Sequence, residues 1–310
     1  MNLDDRQNFI RYLMVKKGVD DRSLNMRIWD RLKIRLSDMA GVGQEKMRIL
    51  EVGGGIGVML ARMLEDELLP ECDYCLLDSD LDSIAAASEY ITAWAVENDF
   101  SVEKTGNNLF RISGPRGVVV LELVYEDFYQ FTEKRPCPWD FILGHAVLDL
   151  FDLEVAVRRL ERVIKPGGLL YLTVNYDGHT IFEPQINPDF EERLLWLYNQ
   201  SMDDRKVNGV PSGDSRSGRH LFAVARRQGF KILSAGSSDW VVFSGSQGYP
   251  EGEAEFLKFI IEMIYRQMRA HPEVDEKMLK DWVAARRKQV ESEDLVFIAH
   301  QIDFLLRKEG

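Results

Sequence analysis

The pattern of apolar and polar positions divides the chain into three regions. Residues 1–46 are charged throughout, with apolar residues at Ile28, Trp29, Leu32 and Leu36. That i, i+4 stripe predicts a helix buried on one face, capped by Asp20-Asp21 and ended by Gly41 and Gly43. Residues 47–52 then run apolar without steady alternation, as a parallel strand covered on both faces does. A helical period follows at Val58, Leu60, Ala61 and Leu64. Residues 73–77 form a second strand ending at Asp78, and Asp80 caps a helix through Ile84, Ala85, Ala87, Ile91 and Val96. Residues 109–112 and 118–124 predict a hairpin around Gly114-Pro115-Arg116-Gly117. A fourth strand covers 139–145 and a helix 152–164. Lys165-Pro166-Gly167-Gly168 breaks that helix before a fifth strand at 169–174. Helices at 190–202 and 220–228 flank a polar loop at 208–217. Residues 230–233 and 240–243 read as a last, antiparallel strand pair. The tail, 251–307, reads as three amphipathic helices at 253–269, 275–289 and 293–307.

Alternating strands and helices predict an α/β fold on a parallel sheet. The turn after the first strand carries its sharpest feature, Gly53, Gly54, Gly55 and Gly57. A dinucleotide fingerprint needs G-x-G-x-x-G, and here its third position falls on Val58 or Leu60. The spacing present is Glu51-x-Gly53-x-Gly55-x-Gly57, an acid at the strand end and three alternate glycines. Asp78 ends the second strand just under 30 residues beyond the first. There a carboxylate can accept from the two vicinal hydroxyls of a ribose.

This series of strand, glycine turn, acid and Lys165-Pro166-Gly167-Gly168 resembles the class I S-adenosylmethionine-dependent methyltransferases over roughly residues 45–245. The resemblance implies a Rossmann-like, mostly parallel seven-stranded sheet with helices on both faces. Helical additions flank it, giving an N-terminal cap (1–46), a cofactor-binding domain (47–245) and a C-terminal helical extension (246–310). It also implies a cofactor, S-adenosyl-L-methionine, with S-adenosyl-L-homocysteine as its product. Its binding set would be Glu51, Gly53, Gly54, Gly55, Gly57, Asp78, Ser79, Asp127, Phe128, Gly144 and His145, with Arg22 reaching the cofactor carboxylate. In that family an acid after the third strand contacts the adenine amino group and an apolar neighbour packs on the ring, and Asp127 and Phe128 match this pattern.

His145, just past the fourth strand, is the candidate general base. Tyr176, His179, Glu183 and Arg219 are the candidate substrate contacts beyond the fifth strand. Asp149 and Asp239 read as structural. The lone pair Cys72 and Cys75 reads as reduced core residues, and no metal site is expected. The 310 residues carry a net charge of −12, which repels phosphate backbones, so a nucleic-acid partner is not expected. Residues 1–20 lack an apolar core, so no signal peptide is expected, and no run of about 20 apolar residues suits a membrane. A cytoplasmic protein acting on a small molecule follows, with a homodimer through the helical additions as an expected partner. An RNA or protein methyltransferase, or a catalytically silent cofactor-binding scaffold, is the alternative.

Overall fold

The computed structural model describes residues 3–40, 46–135, 138–207 and 209–310. Gly41, Gly43, Cys137 and Asn208 lie outside the described residues. Two helices open the chain, α1 (Leu3–Ser23) and α2 (Met26–Ala40). The expected cap moves: Asp20 and Asp21 lie inside the last turn of α1, and Asn25 starts α2, its Oδ1 accepting from Ile28 N at 3.3 Å. The buried stripe of α2 is the predicted Ile28, Trp29, Leu32 and Leu36.

The strand–helix series then follows the sequence closely. It comprises β1 (Met47–Val52), α3 (Val58–Glu65), β2 (Cys72–Asp78) and α4 (Leu81–Glu97), with the Asp80 side chain accepting from Asp82 N. A short β3 (Ser101–Lys104) precedes the hairpin of β4 (Leu109–Gly114) and β5 (Gly117–Tyr125). Next come α5 (Phe128–Lys134), β6 (Trp139–His145), a 3-10 turn (Leu148–Leu150) and α6 (Leu153–Val163). β7 (Ile164–Glu183) is far longer than the expected 169–174. It is followed by α7 (Pro188–Asp203), the small hairpin of β8 (Lys206–Val207) and β9 (Val210–Pro211), and α8 (Ser217–Arg227). The chain ends with β10 (Phe230–Ser237), β11 (Trp240–Val242), α9 (Glu253–Met268), α10 (Glu276–Glu291) and β12 (Val296–Lys308).

One sheet of ten strands organises all of this, in the order β10-β12-β7-β6-β1-β2-β5-β4-β3, with β11 also paired to β12. Its centre, β7-β6-β1-β2-β5, is parallel. The chain steps from β1 through β2 to β5 in one direction and from β6 to β7 in the other, a doubly wound order that reverses at β1. The sheet is wider than the expected seven strands because β3 and β4 extend one edge and β11 lies along the free length of β12. Two apolar layers cover it. α1 to α4, α7, α9 and α10 contribute to one, and α5, α6 and α8 to the other.

The third C-terminal helix expected at 293–307 is instead β12. Its burial alternates residue by residue from Val296 to Asp303 before both faces close over Phe304, Leu305 and Leu306. The long-range partners decide this: β12 inserts antiparallel between β7 and β10. For the same reason β10 and β11 do not pair with each other as expected, since both pair with β12. β7 follows β12 out of the parallel layer by kinking at Val174, which takes φ of 56°. That conformation is unfavourable for a β-branched residue, and the Val174 N–H is held by Asp303 Oδ1 at 2.7 Å. Among the described residues no helix is long and apolar enough to cross a membrane.

The placement of β12 has a direct test. Phe304 is fully buried, with its ring centroid 4.7 Å from that of Phe222. Phe304→Ala is expected to lower the unfolding free energy by about 3–5 kcal/mol, measured by denaturant titration. A loss of only a few tenths would contradict a central β12.

Candidate functional site

Ligands of doubly wound sheets sit beyond the carboxyl ends of the strands where the order reverses. A cavity of about 1230 Å³ occupies that crevice, larger than the roughly 300–1,000 Å³ of a site for one small ligand. The ends of β1, β2, β6 and β7 form its floor, and α1, α7, α9 and the β8–β9 hairpin its roof. Of the residues marked in the sequence, Glu51, Gly53, Gly54, Gly55, Asp78, Ser79, Asp127, Phe128, His145 and Tyr176 line it together.

The glycine turn is shaped from below and open above. A Cβ on Gly53 would meet Val147 Cγ2, and one on Gly54 would meet Leu76 Cγ, each at 2.5 Å. Gly55 differs. Its φ is +53°, and a Cβ there would meet only Leu13 Cδ1, at 3.3 Å, across the cavity. The Gly55 N–H donates to Asp78 Oδ2 at 2.8 Å, and the Asp80 N–H donates to Asp78 Oδ1 at 2.8 Å. One carboxylate thus ties the glycine turn to the turn after β2. Glu51 lies beneath the turn, 2% exposed, accepting from the Tyr74 hydroxyl at 2.7 Å. Burial pushes its carboxyl up to about 8, against an ordinary 4.5, so it is largely protonated at neutral pH. Burial also raises Asp78.

Asp127 caps α5, its Oδ1 accepting from Tyr129 N at 2.9 Å and Gln130 N at 3.1 Å. That cap holds Phe128 at the cavity wall, where its ring packs beside Tyr129 and Phe151.

His145 is an anchor. Its Nε2 lies 2.9 Å from Asp20 Oδ2 and its Nδ1 2.8 Å from Thr173 Oγ1. A carboxylate only accepts, so Nε2 carries the proton and Nδ1 accepts from the threonine hydroxyl. Burial lowers His145 to about 4, leaving the ring neutral at physiological pH. With both nitrogens engaged, it has no lone pair for an acceptor's proton, so the expected general base does not fit this geometry. Asp20 is the centre of the group. Trp240 Nε1 donates to it at 2.9 Å and Lys16 Nζ lies 2.5 Å away. Burial alone would raise the Asp20 carboxyl, but Lys16, then His145 and Arg62, draw it well below the usual carboxylate range.

The remaining marked residues do not line the cavity. Gly57 caps α3 at φ +85°, and a Cβ there would meet Ile91 Cδ1 at 2.6 Å. Gly144 lies under Val147. Arg22 pairs with the buried Glu253 and is not part of the cavity lining. His179, Glu183 and Arg219 are exposed, and Arg219 binds both carboxylate oxygens of Asp177 at 2.8 Å. The segment expected beyond the end of the fifth strand is part of β7, so its residues alternate between faces. Tyr176 and Thr180 face the cavity, while His179 and Glu183 do not. The sequence reading missed Tyr12, Lys16, Asp20, Asp149, Tyr198 and Arg205, all in the wall. Asp149, four residues past β6, had a usable signal in its place beyond a strand's carboxyl end. Tyr12, Lys16, Asp20 and Tyr198 come from helices, where a polar residue among apolar ones reads as solvated, and Arg205 lies in the link between α7 and β8. Cys72 and Cys75 are buried free thiols, as expected, each pushed up to about 12 by burial. Among the described residues no cluster of metal-ligating side chains occurs.

A family model described as a methyltransferase domain matches residues 24–235. Several solved structures are similar in fold. A candidate sarcosine dimethylglycine methyltransferase from Galdieria sulphuraria is 16% identical at a TM-score of 0.42, over 92% of this chain and 86% of that one. A cyclopropane synthase from Mycobacterium tuberculosis is 13% identical at 0.43, over 90% and 83%. A SAM-dependent methyltransferase from Geobacter sulfurreducens, in complex with S-adenosyl-L-homocysteine, is 12% identical at 0.40, over 89% and 90%. No curated protein sequence matches.

Two outcomes follow from the site's electrostatics. Asp20→Ala strips a buried cluster of its counter-charge and is expected to cost about 3–5 kcal/mol of stability in chemical denaturation. A loss below about 1 kcal/mol would mean that α1 docks without it. Glu51 keeps its proton in the folded state up to about pH 8, whereas the unfolded chain releases it near 4.5. Folding is therefore favoured most below the lower value, and stability falls as pH rises between the two. Glu51→Gln is expected to flatten that fall, seen in denaturation curves at pH 5 and 8; parallel curves for the two proteins would refute the buried acid.

Proposed function

The chain belongs to the methyltransferase domain family, matched over residues 24–235, and on that premise we propose that it carries a methyl group from S-adenosylmethionine to a small acceptor enclosed in the cavity. The observation that carries the reading is the clasp of Asp78 on Gly55 at the crevice where the strand order reverses. The residues present fit the cofactor. Each Asp78 oxygen accepts one backbone N–H and keeps a lone pair for a ribose hydroxyl. Phe128 offers a face for the adenine ring, with Asp127 beside it for the amino group. The open side of Gly55 and the free N–H groups at the start of α3 suit the methionine part. Acidic side chains outnumber basic ones two to one in the wall. That balance suits a positively charged sulfur and opposes a dinucleotide's pyrophosphate.

When bound, S-adenosylmethionine supplies an electrophilic methyl group. The chain's own part is to position and to exclude water. Phe9, Tyr12 and Leu13 of α1 close over the cavity, which strengthens the electrostatic interactions inside it. The roof and the net charge of −12 support a small molecule rather than a nucleic acid as acceptor.

Calorimetric titration with S-adenosylmethionine, S-adenosylhomocysteine and NAD tests the cofactor. The first two are expected to bind and NAD is not. Asp78→Ala is expected to weaken S-adenosylmethionine about 10- to 100-fold, the range of a hydrogen bond to a charged group; unchanged affinity would remove Asp78 from the site.

A further inference from the structure

Beyond the expected cofactor region, the cavity runs on between β7, α1, α7 and the 3-10 turn. Four elements distant in sequence bring Tyr12, Tyr176, Tyr198 and Asp149 to this part of the wall. They lie close enough to interact: Tyr12 with Tyr198 and Asp149, Tyr198 with Tyr176 and Asp149, and Tyr176 with Asp149. We infer that this group is the acceptor site, and that the acceptor is an amine, bound as its cation between the three rings and the Asp149 carboxylate. The inference rests on the methyl-transfer reading above.

The chemistry of the four side chains selects that class. The face of an aromatic ring attracts a cation, most strongly where water is excluded. A carboxylate supplies the counter-charge, and it would repel a carboxylate or phosphate acceptor. Two cations act on the Asp149 carboxylate, Arg205 and Lys16, and the hydrogen-bonding groups of both are engaged. Lys16 Nζ pairs with Asp20, and Arg205 is held by backbone carbonyls. Its Nη2 donates to the Asp149 backbone carbonyl at 2.9 Å and its Nε to that of Ser212 at 2.5 Å. Arg205 thus pins the turn that carries Asp149. The rings are held as well. The Tyr176 hydroxyl donates to Asn199 Oδ1 at 3.0 Å and lies 2.9 Å from Thr180 Oγ1. Asn199 adjoins Tyr198 on α7, so one helical segment presents one ring and locks another. Tyr12 is braced from behind by Phe256, with centroids 6.1 Å apart.

The group also suits the reaction. An ammonium ion has no lone pair and must lose a proton before it can attack. Burial raises the Asp149 carboxyl above the usual carboxylate range, which makes the carboxylate a better proton acceptor. The amine passes one proton to a carboxylate oxygen of Asp149. Its nitrogen lone pair then forms the new N–C bond as the methyl carbon–sulfur bond breaks, and that bond's electron pair stays on sulfur. The product leaves as the methylated ammonium ion, and Asp149 then gives up its proton to water. No other co-reactant is required.

Titration of the free protein and of the protein saturated with S-adenosylhomocysteine tests this, with tetramethylammonium, tert-butanol and acetate as probes. Tetramethylammonium is expected to bind at least about tenfold more tightly than the other two. Asp149→Asn and Tyr198→Ala are expected to erase that preference with S-adenosylhomocysteine affinity unchanged, and Tyr198→Phe, which keeps the ring, is expected to retain it. No preference for the cation in either form, or a preference indifferent to Asp149→Asn, would overturn the inference. If S-adenosylhomocysteine binds and the cation does not, the amine falls and the methyl-transfer reading stands. If the cation binds and S-adenosylhomocysteine does not, the cation site stands and the cofactor reading falls.

Discussion

A carboxylate buried at Asp20 holds the enclosure together. Removing a charge from water costs several kcal/mol, and only close partners offset it. Asp20 has three, each on different structure: Lys16 one turn earlier in α1, His145 at the end of β6, and Trp240 in β11. At the next residue Asp21 binds the buried Arg62 of α3, Nε to Oδ1 at 2.6 Å. Two successive carboxylates thus clamp α1 across the carboxyl edge of the sheet. Without that helix the crevice at β1 would be an open groove; with it, the groove is a cavity roofed by Phe9, Tyr12 and Leu13. His145 serves this clamp, and Thr173 fixes its tautomer from the other side.

The cavity's second half depends on a different constraint. β12 draws β7 beyond the parallel layer, and the kink at Val174 turns Tyr176 toward the crevice. Asp303, in β12, holds that kink through Val174 N and reaches the Asn25 N–H at the head of α2 at 2.9 Å. The strand farthest along the chain therefore shapes the wall proposed for the acceptor, while the ends of β1 and β2 and the start of α5 shape the wall proposed for the cofactor. Methyl transfer requires two ligands held against each other with water excluded, and the fold meets this by joining two walls of separate origin under one roof.

The wall proposed for the cofactor was legible in the sequence and most of the wall proposed for the acceptor was not. The β1 strand, the spacing from Glu51 to Gly57, Asp78 at the end of β2, and Asp127 with Phe128 are set by backbone conformation and by residues within a few positions of one another. Local chemistry dictates them, so a linear pattern exposes them. Asp78 was placed because strand ends and parallel neighbours bring a fixed point of the chain to the crevice. His145 was placed correctly in the cavity but not in its chemistry, because the partners of its nitrogens, Asp20 and Thr173, are 125 and 28 residues away.

What the sequence determined by itself is the doubly wound core and its glycine turn, since periodicity, caps and glycine conformations act over a few residues. Only the tertiary structure decided the rest. An amphipathic stretch such as 296–308 satisfies helix and strand patterns alike until a gap between β7 and β10 selects the strand. Asp20 reads as a cap until a histidine and a tryptophan from distant strands surround it. Tyr12, Asp149, Tyr176 and Tyr198 are unremarkable one by one. Their chemistry exists only where folding brings them to one place, because charge and ring faces act across space and not along the chain.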